Sequence, residues 1–315
     1  MDAIRAVVVD PSVAGRLVIR EVEAPTASRS EALVRVKAIS LNRGEVRTAS
    51  TAEAGWRPGW DFAGVVEQQA ADGSGPPTGA RVVGMLDNGA WAELLAVPTF
   101  RLAELPDAVS FAQAATLPIA GLTALWTLEH GGLLLDKRVL ITGASGGVGH
   151  FACQLANHAG AYVVGVVRQS AYQDMVKAVG AHQVVVSDDA SAARAFGPYD
   201  LILDSIGGRP LANVLTMLSQ SGVCVNFGTT GSPEATIDIR QFFLKGGLSL
   251  YGFIIFYELA RKPMSADLAR LARMIAGGQL HPQIELEAPW TQIADAAQKL
   301  LDRRYRGKAV LHVVG

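Results

Sequence analysis

The chain has 315 residues, more than one hydrophobic core usually supports, and two domains are therefore expected. Half of the residues are hydrophobic and 18% are charged, which excludes an intrinsically disordered chain. The formal net charge of −1 provides no basic field for nucleic acid or an anionic membrane, so the expected partner is a small molecule.

Signals for export or membrane insertion are missing from the sequence. A short apolar run precedes Asp10 and Pro11 but lacks the length and flanks of a signal peptide. No segment approaches the roughly 20 apolar residues that span a bilayer. We therefore expect a cytoplasmic protein. Cys153 and Cys224, the two cysteines, lie in apolar surroundings without a C-x-x-C partner and are expected to be inert core thiols.

Residues 1–117 consist of short β-rich runs separated by turn residues. This pattern predicts an antiparallel or barrel-like β domain. Its predicted strands are residues 6–9, 17–21, 32–40, 62–68, 81–85 and 90–97. The Gly-, Ser- and Pro-rich residues 71–79 predict a solvent-exposed loop between two of these strands.

After residue 117, strands alternate with longer helical patterns, which is typical of βαβ units and a parallel sheet. The predicted strands are residues 138–142, 162–167, 183–186, 201–204, 223–228 and 248–253. Their consecutive Val, Ile and Leu residues indicate that helices cover both faces of the sheet. Beyond about residue 255 the pattern is helical again and ends in a strand at residues 309–314.

The most informative segment is residues 139–156, where an apolar strand leads through a glycine-rich turn into a helical pattern. A dinucleotide-binding turn requires this strand–turn–helix context. In the G-x-G-x-x-G register, Ala144 takes the first glycine position and Gly146 and Gly149 the other two. Small residues there let a pyrophosphate approach the helix N-terminus. We predict a cofactor site, the alternative being a plain strand–helix connection. The predicted cofactor contacts are Ala144, Ser145, Gly146, Gly147, Val148 and Gly149.

Arg168 follows the second strand of this unit and lies about 20 positions after Gly149, where an NAD enzyme places an acidic residue. An arginine pairs instead with the 2′-phosphate of NADP. Ser170, with Gln169, would add neutral hydrogen bonds, and Lys177 is a more distant candidate. The position therefore favours NADPH over NADH, unless Arg168 is simply a surface residue at a strand end.

Six sequence blocks in order resemble the medium-chain dehydrogenase/reductase superfamily, in its zinc-independent quinone oxidoreductase and enoyl reductase branch. They are SLNRG (40–44), PGWDFAGVV (58–66), GAWAE (89–93), LPIAGLTA (117–124), DSIGG (204–208) and GKAVL (307–311). The resemblance implies an α/β fold with a Rossmann doubly wound parallel sheet and a GroES-like β-barrel catalytic domain. It places the catalytic domain at residues 1–117, the dinucleotide-binding domain at 118–255, and a return segment to the catalytic domain at 256–315.

Zinc-dependent members of this superfamily carry a catalytic Cys and a Gly-His-Glu block, and often four cysteines in a structural lobe. Here the corresponding residues 42–45 and 59–61 read NRGE and GWD, and none of the six histidines has a ligand spacing. We therefore expect no bound metal. Without that Lewis acid alcohol oxidation is not expected, and hydride transfer to a quinone or an α,β-unsaturated carbonyl remains.

The resemblance also assigns residues to the site. Asn42 would hydrogen-bond the substrate carbonyl or the nicotinamide amide, and Thr123 would line the nicotinamide side. The expected contacts with the nicotinamide ribose and ring are Asn226, Phe227, Gly228 and Phe253. The alternative for each is a capping polar group or a core aromatic.

Arg47 departs from the family, because many relatives carry a tyrosine near this position. An arginine would stabilise an enolate or bind an anionic substrate but keeps its proton, so solvent would protonate the product. The alternative is a solvated arginine at the rim of the site. An enoyl-thioester substrate would need basic residues for its phosphates, and Arg43, Arg47 and Arg57 are the candidates.

Two further expectations concern function class and assembly. A catalytically silent NADPH-binding sensor or interaction protein is the alternative to a reductase. The apolar run at residues 248–257 is long for an exposed edge, and relatives often pair such strands across a dimer, so a homodimer is expected. The alternative is that this run is the last strand of a buried sheet.

Overall fold

The computed structural model describes residues 3–314, and the chain divides into two compact units. The first unit contains the described residues up to Leu122 and from Leu259 onward, and the second unit is Thr123–Glu258. Among the described residues, no helix is both long enough and apolar enough to cross a bilayer.

The strands are β1 (Ala3–Val9), β2 (Leu17–Glu23), β3 (Glu31–Ser40), β4 (Asp61–Gln68), β5 (Arg81–Met85), β6 (Leu94–Pro98), β7 (Leu102–Glu104), β8 (Arg138–Thr142), β9 (Tyr162–Val167), β10 (Gln183–Val186), β11 (Tyr199–Asp204), β12 (Leu218–Asn226), β13 (Ser249–Gly252), β14 (Ile284–Pro289) and β15 (Lys308–His312). The α-helices are α1 (Arg43–Ala49), α2 (Phe111–Ala115), α3 (Leu122–Glu129), α4 (Gly147–His158), α5 (Gln173–Ala178), α6 (Gly208–Leu215), α7 (Ile239–Leu244), α8 (Ile255–Leu259), α9 (Ser265–Ala276) and α10 (Ile293–Leu301).

The first unit is built on a seven-stranded sheet in the order β14-β15-β3-β4-β5-β7, with β6 also paired to β3. β14 and β15 are parallel, and the other pairs are antiparallel. Within the described residues this pairing runs as an open path from β14 to β7, so the closed barrel predicted from the resemblance is not shown. β1 and β2 form a separate antiparallel pair.

The last part of the chain completes this sheet, because β15 pairs with β3 and aligns Val310 with Ser40. The core of the unit packs apolar residues from both ends of the chain against one another. Its buried members include Phe62, Trp91, Trp290 and Leu311.

The second unit has a six-stranded sheet in which every pair is parallel, in the order β10-β9-β8-β11-β12-β13. Consecutive residues of β8, β9 and β11 are buried, so both faces of the sheet are covered at these strands. The strand order reverses between β8 and β11. In open α/β sheets a ligand binds outside the carboxyl ends of the strands at this reversal.

Strand β13 ends this sheet, and its four residues are exposed or half-buried. The apolar run at residues 248–257 therefore contains the last strand of the sheet, and that strand is not buried. Cys153 and Cys224 are buried as predicted, and burial raises the pKa of the Cys153 thiol to about 12. Burial likewise raises the pKa of Cys224 well above its ordinary value.

Candidate active site

The turn between β8 and α4 has a backbone that only small residues allow. Gly143 has a φ of +62°, and a Cβ there would lie 2.5 Å from Ser205 Oγ. A Cβ on Gly149 would lie 2.4 Å from the carbonyl oxygen of Gly143. The left-handed residue is thus Gly143, next to the predicted first position Ala144, which is fully buried.

Helix α4 presents its N-terminus at this turn. Gly146 is its N-cap and supplies no side-chain hydrogen bond, so the first-turn amides of Gly147, Val148 and Gly149 are available as donors. The positive end of the helix dipole and these N–H groups together favour an anion. The predicted pyrophosphate contacts at residues 144–149 therefore share one turn and one helix end.

Arg168 lies at the same edge of the sheet as this turn. β9 pairs in register with β8, aligning Val166 with Thr142, and Arg168 follows the last residue of β9. Arg168 and Ser170 are both exposed, so their side chains are accessible to a ligand. The residue that discriminates between the two nicotinamide dinucleotides would occupy this strand end.

The carboxyl ends of β11 and β12 carry a hydrogen-bonded network around Asp204. Asn226 Nδ2 donates to Asp204 Oδ2 at 2.8 Å and to the carbonyl oxygen of Gly228 at 2.9 Å. The backbone N–H of Phe227 donates to the carbonyl oxygen of Asp204 at 2.9 Å. Phe253 is buried, and its N–H donates to the carbonyl oxygen of Asn226 at 2.8 Å. These four predicted residues therefore lie together, with the Asn226 amide engaged within the protein.

In the first unit a second polar cluster forms around Asn42. Asn42 Nδ2 donates to Glu45 Oε1 at 3.0 Å and to Asp61 Oδ2 at 2.8 Å. Lys308 Nζ donates to Asn42 Oδ1 at 2.6 Å, to the Leu41 carbonyl oxygen at 3.0 Å and to Asp61 Oδ2 at 3.3 Å. The carboxamide of Asn42 is therefore held between two carboxylates on one side and an ammonium on the other.

This Asn42 cluster is almost wholly removed from solvent. The side chains of Lys308 and Asp61 are 4% and 0% exposed, and Glu45 is fully buried. Burial and the Asp61 charge raise the pKa of Glu45 well above its ordinary value. Burial also raises the pKa of Asp61, although the Lys308 ammonium opposes that shift. Burial therefore opposes the ionisation of both carboxyl groups, and the single Lys308 ammonium favours it.

Comparison with known proteins supports one family. Residues 28–107 match the alcohol dehydrogenase GroES-like domain and residues 147–273 match the zinc-binding dehydrogenase domain. A chloroplast envelope quinone oxidoreductase homolog of Arabidopsis thaliana is 29% identical over 314 residues, covering 92% of each chain. The putative quinone oxidoreductase YhfP of Bacillus subtilis is 29% identical over 268 residues, covering 80% of each chain. The chain belongs to the medium-chain dehydrogenase/reductase superfamily.

Solved structures share the fold of this superfamily member. The quinone oxidoreductase from Coxiella burnetii aligns with a TM-score of 0.85 at 24% identity, covering 99% of this chain and all of that one. Mycobacterial Rv1454c complexed with NADPH aligns with a TM-score of 0.86 at 24% identity, covering 98% of this chain and 100% of that one. These two structures show the fold, and the sequence relatives place the protein among oxidoreductases of the quinone oxidoreductase-like branch.

Zinc does not fit the residues that this superfamily member has at the corresponding positions. The Lys308 ammonium already contacts Asn42 Oδ1 and Asp61 Oδ2 and would repel a second cation there. Among residues 3–314, no group of three His, Cys, Asp or Glu residues is arranged to hold a metal ion. The donor set is also poor for zinc, which prefers thiolate and imidazole ligands.

The remaining predicted residues are placed as follows. Thr123 begins the second unit and is buried, and its carbonyl oxygen accepts from Thr127 Oγ1 at 2.7 Å. Arg47 is exposed on α1, one helical turn after Arg43. Arg43 Nη2 donates to the carbonyl oxygen of Leu300 at 2.8 Å, close to the end of α10. Arg57 is half-buried, and burial lowers its pKa.

Sequence reasoning did not identify Glu45, Asp61, Lys308, Thr142 or Asp204 as site residues. A signal was present for Lys308, because a lysine directly before the apolar residues 309–311 is a charge within a buried strand. Asp61 and Asp204 lie in the quoted family blocks, yet nothing local to either block indicates which residues they contact.

Proposed function

We propose that this protein is an NADPH-dependent, zinc-free oxidoreductase that transfers hydride to a quinone or to an α,β-unsaturated carbonyl compound. The observation that carries the proposal is the glycine turn at an uncapped helix N-terminus with Arg168 on the adjacent strand end. Relatives named as quinone oxidoreductases support the substrate class.

The second unit would hold the cofactor through its backbone. The amides of Gly147, Val148 and Gly149 would donate to the pyrophosphate, and a Cβ at Gly149 has no room beside the Gly143 carbonyl. The bound cofactor supplies the hydride, and the protein binds and orients it. Asn226 and Phe253 would fix the edge of the site that faces the nicotinamide ribose and ring.

Arg168 would select NADPH by pairing with its 2′-phosphate in a charge-assisted hydrogen bond. NADPH in the complex of mycobacterial Rv1454c agrees with that choice of cofactor. Ser170, two residues further on, would add a neutral donor to the same phosphate.

The first unit would supply a polar environment in place of a metal ion. The Asn42 carboxamide is oriented by Lys308, Asp61 and Glu45, leaving Oδ1 with one lone pair beyond the Lys308 bond. The exposed guanidinium of Arg47 would stabilise a developing enolate without giving up its proton, and solvent would protonate the product.

We also infer that two copies associate through the edge of the second sheet. β13 is the terminal strand of that sheet and pairs there with β12 on one side. Leu250, Ile254 and Tyr257 nearby are 43%, 60% and 58% exposed. A second copy would pair with this edge and cover these apolar side chains.

The test is nicotinamide oxidation by the purified protein, comparing NADPH with NADH across quinones, enones and one enoyl thioester. Turnover that prefers NADPH supports the proposal, and the best acceptor identifies the substrate class. Arg168→Ala should weaken NADPH binding about tenfold or more while leaving NADH binding unchanged. Arg209→Ala, an exposed arginine elsewhere on the same unit, is the matched control. Tight NADPH binding without turnover would instead support the silent sensor.

A further inference from the structure

The carboxylate of Asp204 lies where the strand order of the second sheet reverses. β8 and β11 are neighbours, with β9 and β10 on one side and β12 and β13 on the other. Asp204 is the last residue of β11 and is 0% exposed. A buried carboxylate thus stands at the position in the sheet where a dinucleotide is expected.

Asp204 joins the ends of three adjacent strands. Its Oδ1 accepts from Thr142 Oγ1 at 2.7 Å, and Thr142 is the last residue of β8. Its Oδ2 accepts from Asn226 Nδ2 at 2.8 Å, at the end of β12, and from the N–H of Gly207 at 2.9 Å. None of the ion pairs found within residues 3–314 includes Asp204, so hydrogen bonds alone hold the carboxylate.

The loops that follow these strands are fixed to one another by the same network. The N–H of Ser205 donates to Thr142 Oγ1 at 3.1 Å, and the Ser205 carbonyl oxygen accepts from the N–H of Thr230 at 3.2 Å. Gly143 follows Thr142 directly and packs against Ser205 so closely that a Cβ has no room. The position of the glycine turn is therefore set by the residues around Asp204.

Burying the Asp204 carboxylate lowers the stability of the folded protein, which a purely structural residue would not need to do. Burial raises the pKa of Asp204, and the hydrogen bonds that its carboxylate accepts only partly oppose that effect. An apolar residue would avoid the cost of desolvating a carboxylate. A cofactor held by backbone amides, however, needs its turn and the adjacent loops at fixed separations, since those donors cannot change rotamer.

We propose that Asp204 is the positioning residue of the dinucleotide site, acting through Thr142 and Asn226. It holds the 143–149 turn and the 227–230 loop at the separation that the cofactor requires. This inference rests on the proposed function, because it takes a nicotinamide dinucleotide as the ligand of the turn.

The test measures the Kd of NADPH by fluorescence titration together with the thermal unfolding midpoint of each variant. Asp204→Ala and Thr142→Val should each raise the Kd about tenfold or more. Thr142→Ser keeps the hydroxyl and should bind within about threefold of the unchanged protein, since it retains the hydrogen bond to Asp204. Thr142 is 1% exposed, so Val replaces it at nearly constant shape.

Asp200→Ala is the matched control because Asp200 lies on the same strand at its opposite end. Asp200 Oδ2 accepts from the N–H of Arg138 at 2.9 Å, and its Oδ1 accepts from Ser219 Oγ at 3.3 Å. This variant should lower the unfolding midpoint and leave the Kd unchanged.

The outcomes separate the two proposals. Unchanged NADPH affinity in Asp204→Ala and Thr142→Val overturns the positioning role, even where both variants are less stable. Should Asp204→Ala fail to fold, equal affinities of Thr142→Val and Thr142→Ser would overturn it. If the unchanged protein binds neither NADPH nor NADH, the proposed function falls and this inference falls with it.

Discussion

Replacing Lys308 with Met removes the cation from the buried Asn42 cluster. Asp61 then keeps its carboxylate at 0% exposure without an ion-pair partner, and two acceptors, Leu41 O and Asn42 Oδ1, lose a donor. Removing one member of a buried ion pair costs about 3–5 kcal/mol. For a unit of this size each kcal/mol lowers the unfolding midpoint by roughly 2–4 °C. We therefore expect the transition of the first unit to fall by roughly 6–20 °C.

The control is Lys299→Met, which breaks an exposed pair at 2.8 Å with Asp295 in the same unit. An exposed pair contributes below about 1 kcal/mol, so its midpoint should change little. Calorimetry gives the stability loss of both variants. Adding Asp61→Asn and the Asp61→Asn/Lys308→Met double variant completes a double-mutant cycle for the buried ion pair. The double variant should lose less than the two single losses added together, because no buried charge is then left alone. Equal shifts for Lys308→Met and Lys299→Met would refute the argument.

Three further changes test separate parts of the structure. Gly149→Ala should weaken NADPH binding at least tenfold in a fluorescence titration, since its Cβ would lie 2.4 Å from the Gly143 oxygen; unchanged affinity would contradict the close packing of the turn. Burial raises the pKa of Glu45 in the folded protein above its ordinary 4.5, so the folded state binds this proton more tightly than the unfolded state does. The free energy of unfolding should therefore fall as the pH rises above 4.5. Glu45→Gln should make the free energy of unfolding, measured in urea at about pH 5 and 8, less dependent on pH. Parallel slopes for the two proteins would show that Glu45 does not bind the extra proton. Leu250→Lys should convert a dimer to a monomer in gel filtration with light scattering, and a monomeric unchanged protein would rule out the β13 interface.

The strand, glycine turn and helix at residues 139–156 were predictable because their signals are local. A strand, a turn with four glycines in the seven residues 143–149, and a helix are contiguous at positions 139–156. Gly143 and Gly149 are required because a Cβ at either position would collide with a neighbouring atom. The parallel sheet was predictable for the same reason, since β8, β9 and β10 have the predicted bounds. β12 begins at Leu218, earlier than the predicted residue 223, and its first half is irregular, with Ser221 at a φ of +59°.

The Asn42 cluster was not predictable, because its members are far apart in sequence. Lys308 and Asn42 are separated by 266 positions and meet only because β15 pairs with β3. Helix α1 was also missed, although Glu45 three residues after Asn42 is a capping signal and its carboxylate accepts from the Asn42 N–H at 2.6 Å. The edge strand β14 was missed because its residues alternate between half-buried and exposed, so it lacks a strong apolar pattern.

The pairing of β15 with β3 also governs the order in which the molecule can be completed during synthesis. Residues Thr123–Glu258 form a unit by themselves, so the second unit has all of its strands before the first unit has its last two. Until residue 308 leaves the ribosome, the carboxylate of Asp61 has no lysine to neutralise it and remains better hydrated than buried. The first unit, which contains the residues synthesised first, therefore finishes folding after the second unit.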